Sequence, residues 1–135
     1  MLMFSIKPKW AHMISNGAKT YELRRKPPPD KAVGEIALIY CTAPEARLVC
    51  ACRVENIIVK LRDVLWNEIG EQTGCDASEF SSYFRGLEYA SAVQLRLLKI
   101  GIANITRSEL KARYNFTPPQ SWRWANALEE LVSEA

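Results

Sequence analysis

Two neighbouring runs rich in Ile, Val, Leu and Cys constrain the fold of this chain more than any other feature. They cover Glu35–Cys41 and Arg47–Ile58, and the short segment Thr42–Glu45, which contains a proline, separates them. Apolar and β-branched residues favour pleated strands, and so short a connection brings the strand ends together. The pair therefore predicts an antiparallel hairpin, and the chain is expected to fold around a β-sheet.

Further strands and helices are predicted on both sides of this hairpin. Alternating side chains predict strands over Thr20–Arg25 and Ala90–Ile100. Apolar spacing, capping residues and terminal glycines predict helices over Pro8–Asn16, Asp63–Thr73, Asp76–Gly86, Thr106–Tyr114 and Ala125–Val132. The proline-containing segment Thr117–Trp124 is predicted to be a loop. Mostly antiparallel strands interrupted by helices predict an α+β fold, a small open β-barrel with flanking helices.

Length and composition favour a single globular domain over residues 1–135. Hydrophobic residues make up 48% and charged residues 24% of the chain, which is typical of folded domains rather than disordered or fibrous ones. The longest apolar runs are far shorter than the roughly 20 residues that cross a bilayer. The first six residues lack the pattern of a secretory signal. These features predict a cytoplasmic protein without a membrane partner.

The four cysteines are predicted to be reduced thiols in the core. Cys50 and Cys52 are separated by one residue inside a strand pattern, which differs from the C-x₂-C turns of thiolate zinc sites. The chain has a single histidine, His12, so few other metal ligands are available. The sequence therefore predicts no metal site and no cofactor.

Positive charge is concentrated near the N-terminal end. The whole chain has a formal net charge of only +3, but the segment Lys7–Lys31 contains seven Lys and Arg residues and only two acidic residues. Such a local excess is suited to an anionic ligand such as a nucleic acid.

Three charged residues in this region are candidates for a binding site. On a strand, Glu22 and Arg24 point in the same direction about 7 Å apart. A carboxylate beside a guanidinium can recognise a base edge together with a phosphate or a ribose, and Lys19 can add a positive charge or a reactive amine. The alternative is that Glu22 and Arg24 form an exposed ion pair worth about 0 to 1 kcal/mol.

Four aromatic residues are candidates for stacking against a base, which is worth about 1 to 3 kcal/mol per base. Trp10 lies on the apolar side of the first predicted helix and Trp124 precedes the last one, so both are predicted to pack in the core. Tyr40 and Trp122 are better candidates for a ligand site because they lie at the ends of elements beside turns.

The order of several short motifs resembles the ASCH domain family, whose members are relatives of the PUA domains. Four segments carry this resemblance: Ser5–Pro8 together with Asn16–Arg25, Ile39–Pro44, Phe80–Gly86 and Pro118–Trp122. The resemblance covers nearly the full chain. It implies a PUA-like β-barrel with flanking helices and a cleft, and a protein that binds RNA, in some members as a transcriptional regulator and in a few small ones as an enzyme.

The resemblance and the basic cluster together predict a regulatory module that binds RNA or a modified nucleotide in a basic cleft, with DNA as a possible ligand. The predicted binding residues are Lys7, Lys19, Glu22, Arg24, Arg25, Tyr40, Ser121 and Trp122.

Two other functions stay open from the sequence. Small ASCH proteins include metal-free amidohydrolases that act on acylated cytidine, which would make Lys19 and Glu22 the catalytic residues. Those enzymes resemble this chain at Lys19 but have a threonine in place of Glu22, and their acidic residue does not map clearly onto Glu68, Glu71 or Glu79. A carboxylate near Lys19 also favours the charged ammonium over the nucleophilic amine.

The third possibility is a protein-interaction domain with an exposed aromatic patch.

Overall fold

A computed structural model describes residues 1–102 and 104–133. Within these residues six strands are present: β1 (Leu2–Ile6), β2 (Tyr21–Arg24), β3 (Ile36–Cys41), β4 (Arg47–Leu61), β5 (Tyr89–Leu97) and β6 (Trp122–Trp124). The helices are α1 (Pro8–Ser15), α2 (Arg62–Ile69), α3 (Ala77–Tyr83), α4 (Arg107–Tyr114) and α5 (Glu130–Ser133). Short 3₁₀ turns occur at Asp30–Ala32, Gly70–Gln72 and Asn126–Leu128. The predicted α+β class is confirmed.

All six strands form one sheet in the order β2-β5-β4-β3-β1-β6. The predicted hairpin is confirmed, because β3 and β4 pair antiparallel, and β4 continues along β5 over a long antiparallel register. The pairing of β1 with β3 is parallel. In the described part of the chain the edge strands β2 and β6 do not pair with each other, so the sheet is not a closed barrel. The two edges are instead joined by a side chain, since Arg24 Nη1 on β2 donates to Ser121 Oγ beside β6 at 3.0 Å.

Two strands were not expected from the sequence. β1 lies between β3 and β6 and is covered on both faces, so its residues are apolar without the alternation that reveals a half-buried strand. β6 was predicted to be part of a loop. It is only three residues long and follows two prolines, yet it pairs antiparallel with β1.

The core lies on both faces of the sheet. Phe4 and Ile39 belong to a cluster that α1 covers, whereas Met3 and Leu38 point to the opposite face and pack with residues of α4 and the C-terminal segment. A third cluster holds α2 and α3 against β2, with Phe80 and Phe84 at its centre. The helix α3 therefore packs beside the edge strand β2.

All four cysteines are free thiols. Cys41, Cys50 and Cys52 lie in the core as predicted, whereas Cys75 is only partly buried. Among residues 1–102 and 104–133, every helix is too short or too polar to cross a membrane.

Capping side chains fix the start of α3, which carries part of the candidate site. Asp76 accepts a hydrogen bond from the Glu79 backbone N–H at 2.7 Å, and the Glu79 side chain accepts one from the Asp76 N–H at 3.0 Å. We expect Asp76→Ala to reduce the free energy of unfolding by about 1 kcal/mol, since an N-cap oxygen is lost. Asp76→Asn is the matched control and should retain most of the stability in urea unfolding. Equal stability of Asp76→Ala and the wild type would show that this cap is energetically neutral.

Candidate functional site

A cleft of about 520 Å³ opens between α1 and α3, above the edge strand β2. Lys7 and Trp10 line the side formed by α1 and the residue before it. Glu79 and Tyr83 line the side formed by α3. The polar floor consists of Lys19, Glu22 and Arg24. A volume of this size accommodates a small organic ligand or a single nucleotide.

The strand β2 directs its charged side chains into the cleft, not out to bulk water. Glu22 and Arg24 are two residues apart and therefore lie on the same face of the strand. They are only 8% and 7% exposed, and Lys19 is 3% exposed. The alternative of an exposed ion pair is therefore wrong. Burying three charged groups carries a desolvation cost, which makes their convergence in a cleft a candidate for function rather than a solvated surface feature.

The three charged groups are close to one another without forming direct hydrogen bonds. Lys19 Nζ lies 3.9 Å from Glu22 Oε2, and Arg24 Nη2 lies 3.7 Å from Glu22 Oε1. Glu22 Oε2 and Arg24 Nε are buried and have no hydrogen-bond partner among the residues that the structure describes. Since buried polar atoms are nearly always paired, an acceptor and a donor without partners distinguish the cleft floor from ordinary core.

Burial shifts the protonation of the floor residues. Removal from water raises the pKa of Glu22, and the positive charges of Lys19 and Arg24 oppose that shift. Burial also lowers the pKa of Lys19, with the Glu22 carboxylate as the largest opposing influence. Both shifts bring the pKa values closer to neutral pH, and a group whose pKa lies there can accept or donate a proton.

Contacts from β1 and the loop before β6 fix the position of Arg24. Its guanidinium carbon lies 4.8 Å from the centroid of the Phe4 ring. Its Nη1 donates to Ser121 Oγ at 3.0 Å, and its Nη2 lies 3.5 Å from the Ser5 carbonyl oxygen. These contacts leave Nε free of partners within the described residues. The arginine is therefore held in place by β1 and by the loop before β6.

The other predicted binding residues have different places. Lys7 is exposed at the rim of the cleft. Ser121 does not line the cleft, and its hydroxyl accepts a hydrogen bond from Arg24. Arg25 is turned away from the cleft, because its Nη1 donates to the carbonyl oxygens of Tyr83 and Arg85 at the end of α3. Trp122 packs against the first core cluster and does not line the cleft.

Tyr40 is not brought into the cleft, which corrects the prediction that placed it there. It is 3% exposed and packs with Leu38 and Leu48 in the cluster on the opposite face of the sheet. Its neighbours Ile39 and Cys41 face the other cluster. The prediction relied on the position of Tyr40 near the end of a strand and did not include the direction of its side chain.

Several cleft residues were not expected from the sequence. Trp10 packs partly against the core, as predicted, but it also lines the cleft, and Lys19 Nζ lies 5.2 Å from the centroid of its ring. Tyr83 faces it from α3. Glu79 is the one of the three acidic candidates that lines the cleft, whereas Glu68 and Glu71 line a separate recess. The helical spacing of Trp10 and Tyr83 was visible in the sequence, but only the packing of both helices beside β2 reveals their shared site.

The pKa of Lys19 provides a direct test of this electrostatic description. We expect the Lys19 amine to titrate below the ordinary lysine value, because burial disfavours the ammonium. Glu22→Gln should lower that pKa further, since the opposing negative charge is removed. Nuclear magnetic resonance of labelled lysine side chains measures both values, with the exposed Lys26 as an internal control. A Lys19 pKa at or above the ordinary value would contradict the description.

Comparisons with known proteins agree with this architecture. The family model of the ASCH domain matches residues 4–119. A relative from Zymomonas mobilis subsp. mobilis named "ASCH domain-containing ribonuclease" is 34% identical over 134 residues, covering 97% of this chain and 89% of the relative. The crystal structure of ASCH from Zymomonas mobilis is similar with a TM-score of 0.86 at 33% identity, covering 98% of this chain and 93% of that one. A tyrosine-to-phenylalanine variant of that protein has the same TM-score at 32% identity, covering 98% of this chain and 96% of the variant.

Proposed function

Because this chain belongs to the ASCH domain family, we propose that it binds single-stranded RNA and holds one nucleotide in the cleft between α1 and α3. The buried acceptor Glu22 Oε2 and the buried donor Arg24 Nε carry the proposal, since neither has a partner within the described residues. The ribonuclease name of the 34% identical relative supports RNA as the ligand. A base inside a duplex does not reach the floor of a cleft, so the bound nucleotide is unpaired.

The floor and the walls of the cleft would recognise different parts of the nucleotide. Glu22 is suited to accept hydrogen bonds from amino or imino groups on a base edge, and Arg24 to donate to a carbonyl or phosphate oxygen. Trp10 and Tyr83 present aromatic surface on opposite sides, which favours stacking of a base between the helices. Lys7 at the rim can neutralise a phosphate that stays in water.

The same groups are suited to RNA cleavage without a metal. When the 2′-hydroxyl oxygen attacks the neighbouring phosphorus, a 2′,3′-cyclic phosphate forms and the P–O5′ bond breaks. One group must therefore accept the 2′-hydroxyl proton and another must donate a proton to the leaving 5′ oxygen. The pKa values of Lys19 and Glu22 are shifted towards each other, and Arg24 can stabilise negative charge on the phosphate. If the same residues bind RNA without cleaving it, the protein would instead have a regulatory role on cytoplasmic RNA.

Fluorescence anisotropy with short labelled RNA tests the proposal. We expect binding that weakens with increasing salt, and a matched duplex should bind less tightly than the single strand. Gel analysis of the same mixtures, in the presence of a chelator, then reports cleavage. Equal affinity for duplex and single strand, or no binding at low salt, would reject a nucleotide-binding cleft.

The role of Lys7 can be measured separately from that of the cleft floor. We expect Lys7→Ala to weaken RNA binding several-fold and to reduce the slope of log affinity against log salt by about 0.7, as one phosphate contact on a single strand is lost. Lys60→Ala is the matched control, because Lys60 is paired with Glu68 outside the cleft and its loss should leave the slope unchanged. An unchanged slope for Lys7→Ala would remove Lys7 from the interface.

Hydrolysis of an acylated nucleoside is the second candidate function. It is favoured by the lowered pKa of the Lys19 amine and by the position of Glu79 in the same cleft. Incubation with acylated cytidine, followed by chromatography, compares wild type with Lys19→Ala and Glu79→Gln. Product that depends on Lys19 would establish this activity, and its absence at high enzyme concentration would eliminate it.

A further inference from the structure

Three potential metal ligands meet at a place that the cleft does not include. His12 lies on α1, Cys41 is the last residue of β3, and Glu45 lies in the connection between β3 and β4. The ligand atoms, one from each side chain, all lie within 4.8 Å of one another. None of the three residues lines the cleft. They are separated by up to 33 positions in the sequence, so the packing of α1 on the hairpin creates the cluster.

We propose that His12, Cys41 and Glu45 bind a zinc ion through three protein ligands, with a fourth position open to solvent. Imidazole nitrogen, thiolate sulfur and carboxylate oxygen are the ligands that Zn²⁺ uses in proteins. In tetrahedral zinc sites these atoms lie about 3 to 4 Å apart. Small side-chain rotations are therefore enough to close the observed cluster around an ion.

The exposure of the three side chains is suited to an open site. Cys41 is fully buried, whereas the side chains of His12 and Glu45 are 45% and 30% exposed. An ion would therefore rest on the sulfur, with the imidazole and the carboxylate at its sides. Solvent would reach the remaining position, an arrangement more typical of exchangeable or catalytic zinc sites than of closed structural ones.

The conformation of the connection directs Glu45 towards the other two ligands. Ala46 N–H donates to the Thr42 carbonyl oxygen at 3.3 Å, which closes the turn. Ala46 itself has φ 47°, a conformation that residues with a side chain rarely adopt. Such strain is frequent where surrounding structure holds a functional side chain in place.

The partners of Glu45 hold its carboxylate beside His12 and Cys41. Its Oε1 forms a short hydrogen bond with His12 Nε2. Its Oε2 lies 3.1 Å from Arg47 Nη2 but outside hydrogen-bond geometry, and this buried atom has no hydrogen-bond partner in residues 1–102 and 104–133. Arg47 opposes the charge of a cation, yet it also limits the rotation of the carboxylate. Two anionic ligands would balance the charge of one zinc ion.

The same three residues are less suited to thiol catalysis. A nucleophilic cysteine needs a lowered pKa and usually contacts a histidine directly. Here burial and the neighbouring Glu45 raise the pKa of Cys41 to about 11, so the thiol carries its proton at neutral pH. Zinc binding would release that proton to solvent, because the metal stabilises the thiolate.

Titration of the reduced protein with Zn²⁺, in competition with a coloured chelator, tests this inference. We expect one zinc ion per chain and a loss of affinity of at least about 100-fold in His12→Ala, since even outer-shell changes cost up to that much. Co²⁺ should give a thiolate-to-metal absorption band that Cys41→Ser removes. Cys75→Ser is the matched control, because Cys75 is the partly exposed thiol in the cleft, and it should bind zinc as the wild type does.

Several results would overturn the site. Zinc affinity that is unchanged in both His12→Ala and Glu45→Gln would do so. A Co²⁺ spectrum without the thiolate band, or a loss of zinc binding in Cys75→Ser, would do so as well. Circular dichroism of each variant without metal separates loss of ligands from loss of folding. His12 and Glu45 are partly exposed, so at least these two variants are expected to fold.

Discussion

Glu22→Gln is expected to weaken the binding of single-stranded RNA by roughly 10- to 150-fold, the equivalent of 1.5 to 3 kcal/mol for a hydrogen bond to a charged group. The substitution keeps the shape of the side chain, but it removes the negative charge and replaces one acceptor with a donor. Glu22 Oε2 is the unpartnered acceptor at the cleft floor, so a base edge that binds there would lose its partner. Fluorescence anisotropy at constant salt measures the change.

Glu79→Gln is the matched control for this variant. Glu79 also lines the cleft, but it is more exposed and its carboxylate already contacts Lys9 at 3.2 Å. We expect only a small change in RNA affinity, because the charge of Glu79 is screened by water and its carboxylate is not expected to hydrogen-bond to the bound base. If both glutamine variants bind RNA as tightly as the wild type, the carboxylate of Glu22 does not recognise the ligand.

Phe4→Ala is expected to lower the free energy of unfolding by about 3 to 5 kcal/mol, the usual cost of a cavity left by a buried phenylalanine. Phe4 is fully buried in β1, between β3 and the edge strand β6, and its ring supports the guanidinium of Arg24. Urea unfolding followed by circular dichroism provides the measurement. A loss below about 1 kcal/mol would mean that neighbouring side chains fill the space left by the ring, and that the ring is not a necessary part of the core.

Phe4→Leu separates the packing role of the ring from its contact with Arg24. Leucine fills much of the same volume, so this variant should be considerably more stable than Phe4→Ala. It lacks the aromatic face beneath the guanidinium, so we expect a weaker hold on Arg24 and a modest loss of RNA affinity. RNA binding as tight as that of the wild type would show that hydrogen bonds alone position the arginine.

Local patterns in the sequence were sufficient where a residue's role depends on its near neighbours. The spacing of Asp76 and Glu79 predicted a capping box, and the structure shows both of its hydrogen bonds. Alternation along β2 predicted that Glu22 and Arg24 share one face, and both lie in the cleft. Strand period and capping geometry extend over only a few residues, so the sequence contains them directly.

Features that depend on distant contacts could not be predicted in the same way. β1 is buried on both faces and carries no alternation, and the direction of Tyr40 depends on the register of its strand. The meeting of His12 with Cys41 and Glu45 requires α1 to pack on the hairpin. Cysteine spacing and the single histidine predict no metal site, and neither feature reveals side chains that come together from separate elements.

The most direct test of the central claim is the side-chain Nε–H resonance of Arg24 during titration with a short single-stranded RNA. If the cleft floor binds a nucleotide, this unpartnered donor gains an acceptor. Its resonance should then shift and its exchange with water should slow, together with a shift of the Trp10 indole at the cleft wall. Shifts confined to the opposite face of the sheet, around Tyr40 and the neighbouring Arg107 at the start of α4, with the Arg24 and Trp10 resonances unchanged, would contradict the account.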